Sequence, residues 1–202
     1  MTHLDAPNRS RLSAAMLVDV LHTLQRVEKI SRVTVVSADL TVRRIIRPMR
    51  VNFLCEGKRK GLNKGVRIAM RDATRRKFSA ALVIPSDIPL ATPREILRLL
   101  RLSDAYPVTV TPSKDGSGTN ALLLRPPGVI SPAFGKNSFR KHLSNARKKR
   151  LSAKVVKSLG IASDVDEPED LVSLNRLLMR NETGRFLGRM NRVACEAPGY
   201  KV

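Results

Sequence analysis

The residue whose setting most suggests chemistry is Asp87. It follows the apolar run Ala81-Leu82-Val83-Ile84 through Pro85-Ser86 and precedes Ile88-Pro89-Leu90, so a carboxylate stands just beyond the end of an expected buried strand. There it can hold Mg²⁺ between nucleotide phosphates; a turn Asp bonded to its own backbone is the equal alternative. A second concentration of acid is Asp164-Val165-Asp166-Glu167-Pro168-Glu169-Asp170, which packs five of the chain's 17 acidic residues into seven positions. In an extended segment residues two apart point to one side, so Asp164 and Asp166 can face one cation. The same stretch also reads as a helix start, with Asp166 as N-cap and Glu169 closing a capping box.

Two further segments can receive anions. In Asp115-Gly116-Ser117-Gly118-Thr119-Asn120 the glycines let backbone N–H groups approach an anion closely, although a plain hairpin turn accounts for them equally well. Phe134-Gly135-Lys136-Asn137-Ser138-Phe139 opens a helix whose first N–H groups, with Ser138, can take a phosphate or be capped in the ordinary way. His3, His22 and His142 are scattered and form no nucleophile set. Cys55 and Cys195 stand without a CxxC or a histidine at metal spacing, which indicates neither a zinc site nor a disulfide scaffold.

The elements that must position these residues alternate. Leu12, Met16, Leu17, Val20, Leu21 and Leu24 recur at helical spacing and predict an amphipathic helix over 9–27. The β-branched run in 32–37 predicts a strand, followed by a weak strand at 51–54, a basic helix over 62–77 and an apolar strand at 80–84. Thr92-Pro93-Arg94-Glu95 supplies an N-cap, a first-position proline and a reciprocal Glu, and starts a helix to Leu102. Strands at 108–111 and 121–124, a helix over 138–149, a strand at 154–158 and a helix from Glu167 complete the series. This pattern implies an α/β fold, a sheet with helices on both faces. Residues 181–202, with many Arg, two Gly and a Pro, read as a loosely held basic tail.

Charge narrows the partners only in part. Against 17 acidic residues stand 38 Lys and Arg, a formal +21 in 202 residues, and such a field attracts polyanions without choosing among them. A dedicated nucleic-acid module is opposed by 3% aromatics, no Trp and no aromatic interleaved with the bases. The first eight residues lack the apolar core of a signal peptide and no apolar run approaches the ~18 residues of a membrane span. The expectation is a soluble, cytoplasmic protein with no membrane partner.

Five segments occur in a telling order: Gly61-Leu62-Asn63, Pro85-Ser86-Asp87-Ile88-Pro89-Leu90, Gly116-Ser117-Gly118-Thr119-Asn120-Ala121-Leu122, Phe134-Gly135 with Ser138-Phe139, and Asp164-Val165-Asp166-Glu167-Pro168-Glu169-Asp170-Leu171. Together they resemble the 2-phospho-L-lactate guanylyltransferase family of coenzyme F420 biosynthesis over roughly residues 4–175. The resemblance implies a three-layer nucleotidyltransferase sheet of the molybdopterin-guanylyltransferase kind, one domain over 1–180, using GTP and Mg²⁺. Phospholactate, phosphoenolpyruvate or 3-phosphoglycerate would be the acceptor, with pyrophosphate released; a homodimer is the accompanying expectation. By the same resemblance Asp87, Asp164 and Asp166 hold the metal, Thr119, Gly135 and Ser138 hold the phosphorylated acid, and Leu62 and Asn63 lie beside the base.

One departure stands out. Members of that family open with a short apolar strand and a loop ending Lys-Ser-Arg-Leu that cradles the nucleotide phosphates, and residues 1–8 here offer no such strand. Arg9-Ser10-Arg11-Leu12 is either a shortened version of that loop, with Arg9 and Arg11 on the phosphates, or part of the segment entering the first helix. In the second register the sheet lacks a central partner, and an inactive paralogue joins a basic nucleic-acid-binding α/β protein as the alternative reading.

Overall fold

In a computed structural model, which describes residues 4–57, 61–165, 170 and 181–196, the last six by backbone alone, helices and strands alternate as the pattern predicts. The order is α1 (Ala6–Gln25), β1 (Thr34–Ser37), α2 (Leu40–Ile46), β2 (Asn52–Cys55), α3 (Leu62–Arg75), β3 (Ala81–Val83) and α4 (Pro93–Leu102). There follow β4 (Val108–Pro112), β5 (Thr119–Leu124), α5 (Ser138–Lys148), β6 (Ala153–Val155), α6 (Leu159–Ala162) and α7 (Glu182–Glu196). Local chemistry explains the boundaries. Thr92 and Glu95 form both bonds of the expected capping box, and Asp5 caps α1 by accepting the Asn8 N–H at 2.9 Å. The short α2, which no periodicity announces, starts because Asp39 accepts the Thr41 N–H at 2.8 Å.

β5 is the middle of the core, with all six residues buried. Ala121 and Leu123 face α1 and α4, packing with Val20, Ile96 and Leu99. Leu122 and Leu124 face α3 and α5, packing with Val66, Met70 and Ala146. That is the expected three-layer arrangement, with each helix burying one stripe against one sheet face. Strand order is β3-β5-β4-β6, with β5 antiparallel to β3 and β4, and β4 parallel to β6.

The sheet is not continuous. β1 and β2 form a separate parallel pair, and among the described residues no ladder joins β1 to β3. α3 packs against both β1 and β3 and so spans the division. Both β1 and β3 are only half-buried. The helix expected from Glu167 begins outside the described residues.

The reading of residues 181–202 as a loose tail is corrected for 182–196. These form α7, which lies on α1, with Phe186 and Leu187 packing against Leu12 and Met16. Its start is capped from a distance: Asp19, buried in the middle of α1, accepts the N–H groups of Glu182 and Thr183 at 2.8 Å each and the Thr183 hydroxyl at 2.5 Å. A carboxylate at a helix N-terminus satisfies open N–H groups and suits the dipole. Removing it leaves three donors, two of them buried, without an acceptor, so Asp19→Ala is expected to cost about 3 kcal/mol in urea unfolding. Trypsin should then cut at Arg185 and Arg189 before the rest of the chain; unchanged stability and protection would mean that α7 is held by its apolar face alone.

Candidate active site

The strand directions decide what can meet. β3, β4 and β6 run the same way and β5 runs against them. The carboxyl ends of β3, β4 and β6 therefore share one edge of the sheet with the amino end of β5. Asp87 follows β3, the 113–118 turn follows β4, Thr119 opens β5 and Asp164 follows β6 through α6. In open α/β sheets this edge is where ligands bind.

The two acidic loops are bonded to each other there. The Val165 N–H donates to the Asp87 carbonyl at 2.9 Å, which sets the Asp164 residue beside the Asp87 turn. Each loop is nailed down by an apolar neighbour. Ile88 is fully buried among Ile96, Leu99 and Ile161, and Val165 packs with Leu12, Met16, Phe186 and Leu187. Asn181, just before α7, also donates to the Pro89 carbonyl at 3.4 Å. Asp87 and Asp164 are both half-buried, with the Asp87 Oδ1 closed off from solvent. Asp166 lies outside the described residues, among which no group of three His, Cys, Asp or Glu is gathered for a metal.

Thr119 and Ser138 are brought together by a β-bulge. Thr111 pairs with Ala121 but Pro112 pairs with Thr119, so Asn120 is an extra residue. Strict alternation would turn Thr119 to the α1 and α4 face with Ala121 and Leu123; the bulge turns it toward α5 instead. There its Oγ1 meets the Ser138 hydroxyl at 3.2 Å and the Nδ1 of His142 at 3.1 Å, all three residues buried. The Ala133 N–H donates to the other ring nitrogen of His142, Nε2, at 2.9 Å. Burial pushes the imidazole pKa down to about 4, so the ring is neutral near pH 7. Nothing in the spacing of His142 marks it in the sequence; only the fold brings it to Thr119.

Gly135 is exposed, at φ 103°, a conformation that disfavours any side chain. The helix start beside it is not conventionally capped: Asn137 sits in the left-handed region without a side-chain bond. The Ser138 and Phe139 N–H groups donate to the carbonyls of Gly135 and Ser117 at 2.9 and 3.2 Å. Asn63, at the start of α3, clamps the same loop, donating to the Phe134 carbonyl at 2.9 Å while the Phe134 N–H donates to its Oδ1 at 2.7 Å. Its amide thus ties the start of α3 to this loop with one donor and one acceptor position, while the neighbouring Leu62, 60% exposed, presents its side chain to solvent.

Two other expectations are decided. The Gly116-Ser117-Gly118 turn is a self-contained hairpin rather than an anion cradle. Its N–H groups go to the Ser113 carbonyl, the Asp115 carboxylate and the Ser113 hydroxyl, at 2.9, 3.1 and 2.7 Å respectively. The Ser113 and Ser117 hydroxyls also donate to Asp115 and hold its carboxyl well below the usual range. Arg9 and Arg11 lie within α1, exposed, with the Arg9 guanidinium on the Leu4 carbonyl at 2.7 Å. Arg9-Ser10-Arg11-Leu12 is therefore helix and not a phosphate loop, because Asp5 and Pro7 start the helix ahead of it.

His142 gives the site a pH signature. Its folded pKa, about 4, is below the ordinary 6.5. Its contribution to stability is thus complete above pH 6.5 and is lost as pH falls toward 4. The slope for one such proton is about 1.4 kcal/mol per pH unit. Urea unfolding at pH 7 and at pH 5, above the range in which the depressed carboxyls titrate, should show this loss in the unaltered chain and not in His142→Gln. Equal losses in both chains would place the proton elsewhere.

Comparisons with known proteins identify the family and the fold. The family described as Guanylyl transferase CofC like matches residues 2–189. Phosphoenolpyruvate guanylyltransferase of Conexibacter woesei is 32% identical over 184 residues, covering 90% of this chain and 82% of its own length. 2-Phospho-L-lactate guanylyltransferase of Methanothermobacter thermautotrophicus is 36% identical over 168 residues, covering 83% and 73%. A solved structure described as a nucleotide-diphospho-sugar transferase, from Desulfovibrio desulfuricans G20, superposes with a TM-score of 0.75 over 94% of this chain and 86% of that one. At 18% identity that likeness is one of fold. The chain belongs to the CofC-like guanylyl transferase family, and is a nucleotidyltransferase.

Proposed function

We propose that this enzyme transfers the guanylyl group of GTP to the phosphate of a phosphorylated three-carbon acid, phosphoenolpyruvate or 2-phospho-L-lactate in the first place and 3-phosphoglycerate as a third candidate, on the route to coenzyme F420. Relatives named for the first two acceptors support the substrate class. The observation that carries the reading is the hydrogen bond between Val165 and Asp87, which brings two acidic loops together at the edge where Thr119 and Ser138 also stand. One end of the site is made for a cation and the other for an anion.

In the reaction an oxygen of the acceptor phosphate bonds to the α-phosphorus of GTP. The bond from that phosphorus to the bridging oxygen breaks, and pyrophosphate leaves with the electron pair. The attacking oxygen is already ionised at neutral pH, so no general base is required, and His142 is neutral and buried away from solvent. Catalysis then rests on positioning and on neutralising charge. Thr119, Gly135 and Ser138 hold the acid, Gly135 because its backbone is open to solvent where a side chain would stand. Leu62 offers an apolar surface to the base.

Carboxylate oxygens suit Mg²⁺, which keeps one or two protein carboxylates and takes its remaining ligands from phosphates and water. Asp87 and Asp164, with Asp166, would hold it. When bound, it neutralises charge on the α-phosphate and the departing pyrophosphate.

Pyrophosphate release from GTP, with each of the three acids offered in turn, tests the assignment. Release with at least one is expected, and release with none would remove it. Asp87→Asn should lower that release by at least ~10²-fold, as loss of a metal-holding charge does, with its far-ultraviolet circular dichroism unchanged. Turnover retained in that variant would take Asp87 out of the mechanism.

A further inference from the structure

We propose that His142 is a positioning residue for the phosphorylated acid: by donating to Thr119 it keeps one hydroxyl proton of the Thr119–Ser138 pair available for a phosphate oxygen. The inference rests on the reading of Thr119, Gly135 and Ser138 as the acid's site. It begins with the Ala133 N–H, which can only donate and which meets Nε2 at 2.9 Å. That nitrogen must carry the lone pair. In a neutral ring the proton is then on Nδ1, and the 3.1 Å contact with Thr119 is a bond in which Nδ1–H donates and Oγ1 accepts.

A proton count follows. Thr119 and Ser138 own two hydroxyl protons and share one contact, at 3.2 Å. Whichever of them donates across that contact, the other proton is left over. Were His142 the acceptor instead, it would take that second proton, and the pair would present nothing but lone pairs to an incoming anion. The tautomer set by Ala133 therefore decides whether two buried hydroxyls attract or repel a phosphate. The ring cannot turn to exchange its nitrogens freely: it is fully buried and stands edge-on to Phe134, with centroids 4.9 Å apart and planes at 70°. Phe134 is itself held by both bonds of the Asn63 clamp. Neutrality at working pH, which burial secures, is what allows the imidazole to act as a fixed dipole here.

Two substitutions separate this role from plain packing. The terminal atoms of Asn reach the place of Nδ1, so His142→Asn can keep the donor to Thr119 while losing the acceptor for Ala133. Those of Gln reach the place of Nε2, so His142→Gln keeps the Ala133 bond and loses the donor. Both replace an aromatic ring in the same pocket and both should lower stability. The measurement is calorimetric binding of phosphoenolpyruvate, 2-phospho-L-lactate, 3-phosphoglycerate and GTP in Mg²⁺ to the full chain. His142→Gln is expected to weaken the best-bound acid roughly tenfold, the worth of one hydrogen bond to a charged group. GTP affinity should stay within about twofold, and His142→Asn should bind the acid far more tightly than His142→Gln does. Equal weakening by the two variants, or normal acid binding by His142→Gln, would overturn the proposal.

Thr119→Val separates this proposal from the reading beneath it. If that variant binds the acid normally, or if the unaltered chain binds none of the three acids, the site itself is misassigned. If Thr119→Val weakens binding while His142→Gln does not, only the role of His142 falls.

Discussion

A single backbone hydrogen bond, from the Val165 N–H to the Asp87 carbonyl, holds the candidate site together. Asp87 and Asp164 stand on loops that leave different strands, 77 positions apart in the numbering. Carboxylates repel one another, so two acidic loops will not approach unless something else holds them. The backbone bond does so without using either side chain, and burial of Ile88 and Val165 on its two sides keeps water from competing for it. The remainder of the fold can be read as support for this join. α4 and α6 contribute Ile96, Leu99 and Ile161 beneath Ile88, while α1 and α7 close over Val165. The long-range cap from Asp19 matters for function in this sense, because it fixes the helix that covers one of the acidic loops.

The anion end of the site is built by different means. Here a strand irregularity, the extra residue at Asn120, rotates Thr119 to the face of the sheet where α5 brings Ser138 and His142. The loop carrying Gly135 is fixed from α3 by Asn63 rather than by a cap at its own helix. The segments proposed to bind the acid and the base are thereby mechanically linked, and a shift at the start of α3 would move Phe134 and Gly135 with it. The open join between β1 and β3, spanned by α3, is the less constrained side of this assembly.

Much of the fold was legible in the sequence because its signals are local. A β-branched run marked β1, an apolar run marked β3, leucine spacing marked α1, and the Thr92 capping box fixed the start of α4 to the residue. Asp87 was legible as a polar residue at the end of an apolar strand. What escaped depends on partners distant in the chain, which leave no period and no spacing to read. α7 has no local start signal because its cap, Asp19, is 163 positions from Glu182. Asn63, which the resemblance puts beside the base, also bonds through its amide to the backbone of Phe134, 71 residues away, a contact its motif does not announce. The glycine turn after Asp115 admits two readings from sequence, and the carbonyl and hydroxyl of Ser113 with the Asp115 carboxylate decide between them by taking its N–H groups. His142 had no sequence signal at all.

Whether Asp87 and Asp164 face the same cation can be tested by paramagnetic broadening of backbone amide resonances, without altering a residue. Mn²⁺ would be titrated in place of Mg²⁺ in the presence of GTP. The account predicts that the amides of Asp87, Ile88, Asp164 and Val165 broaden first and together, ahead of those in the Gly116–Gly118 turn and the first turn of α1. Broadening of one acidic loop without the other, or strongest broadening at a distant acidic residue such as Asp72, would contradict it.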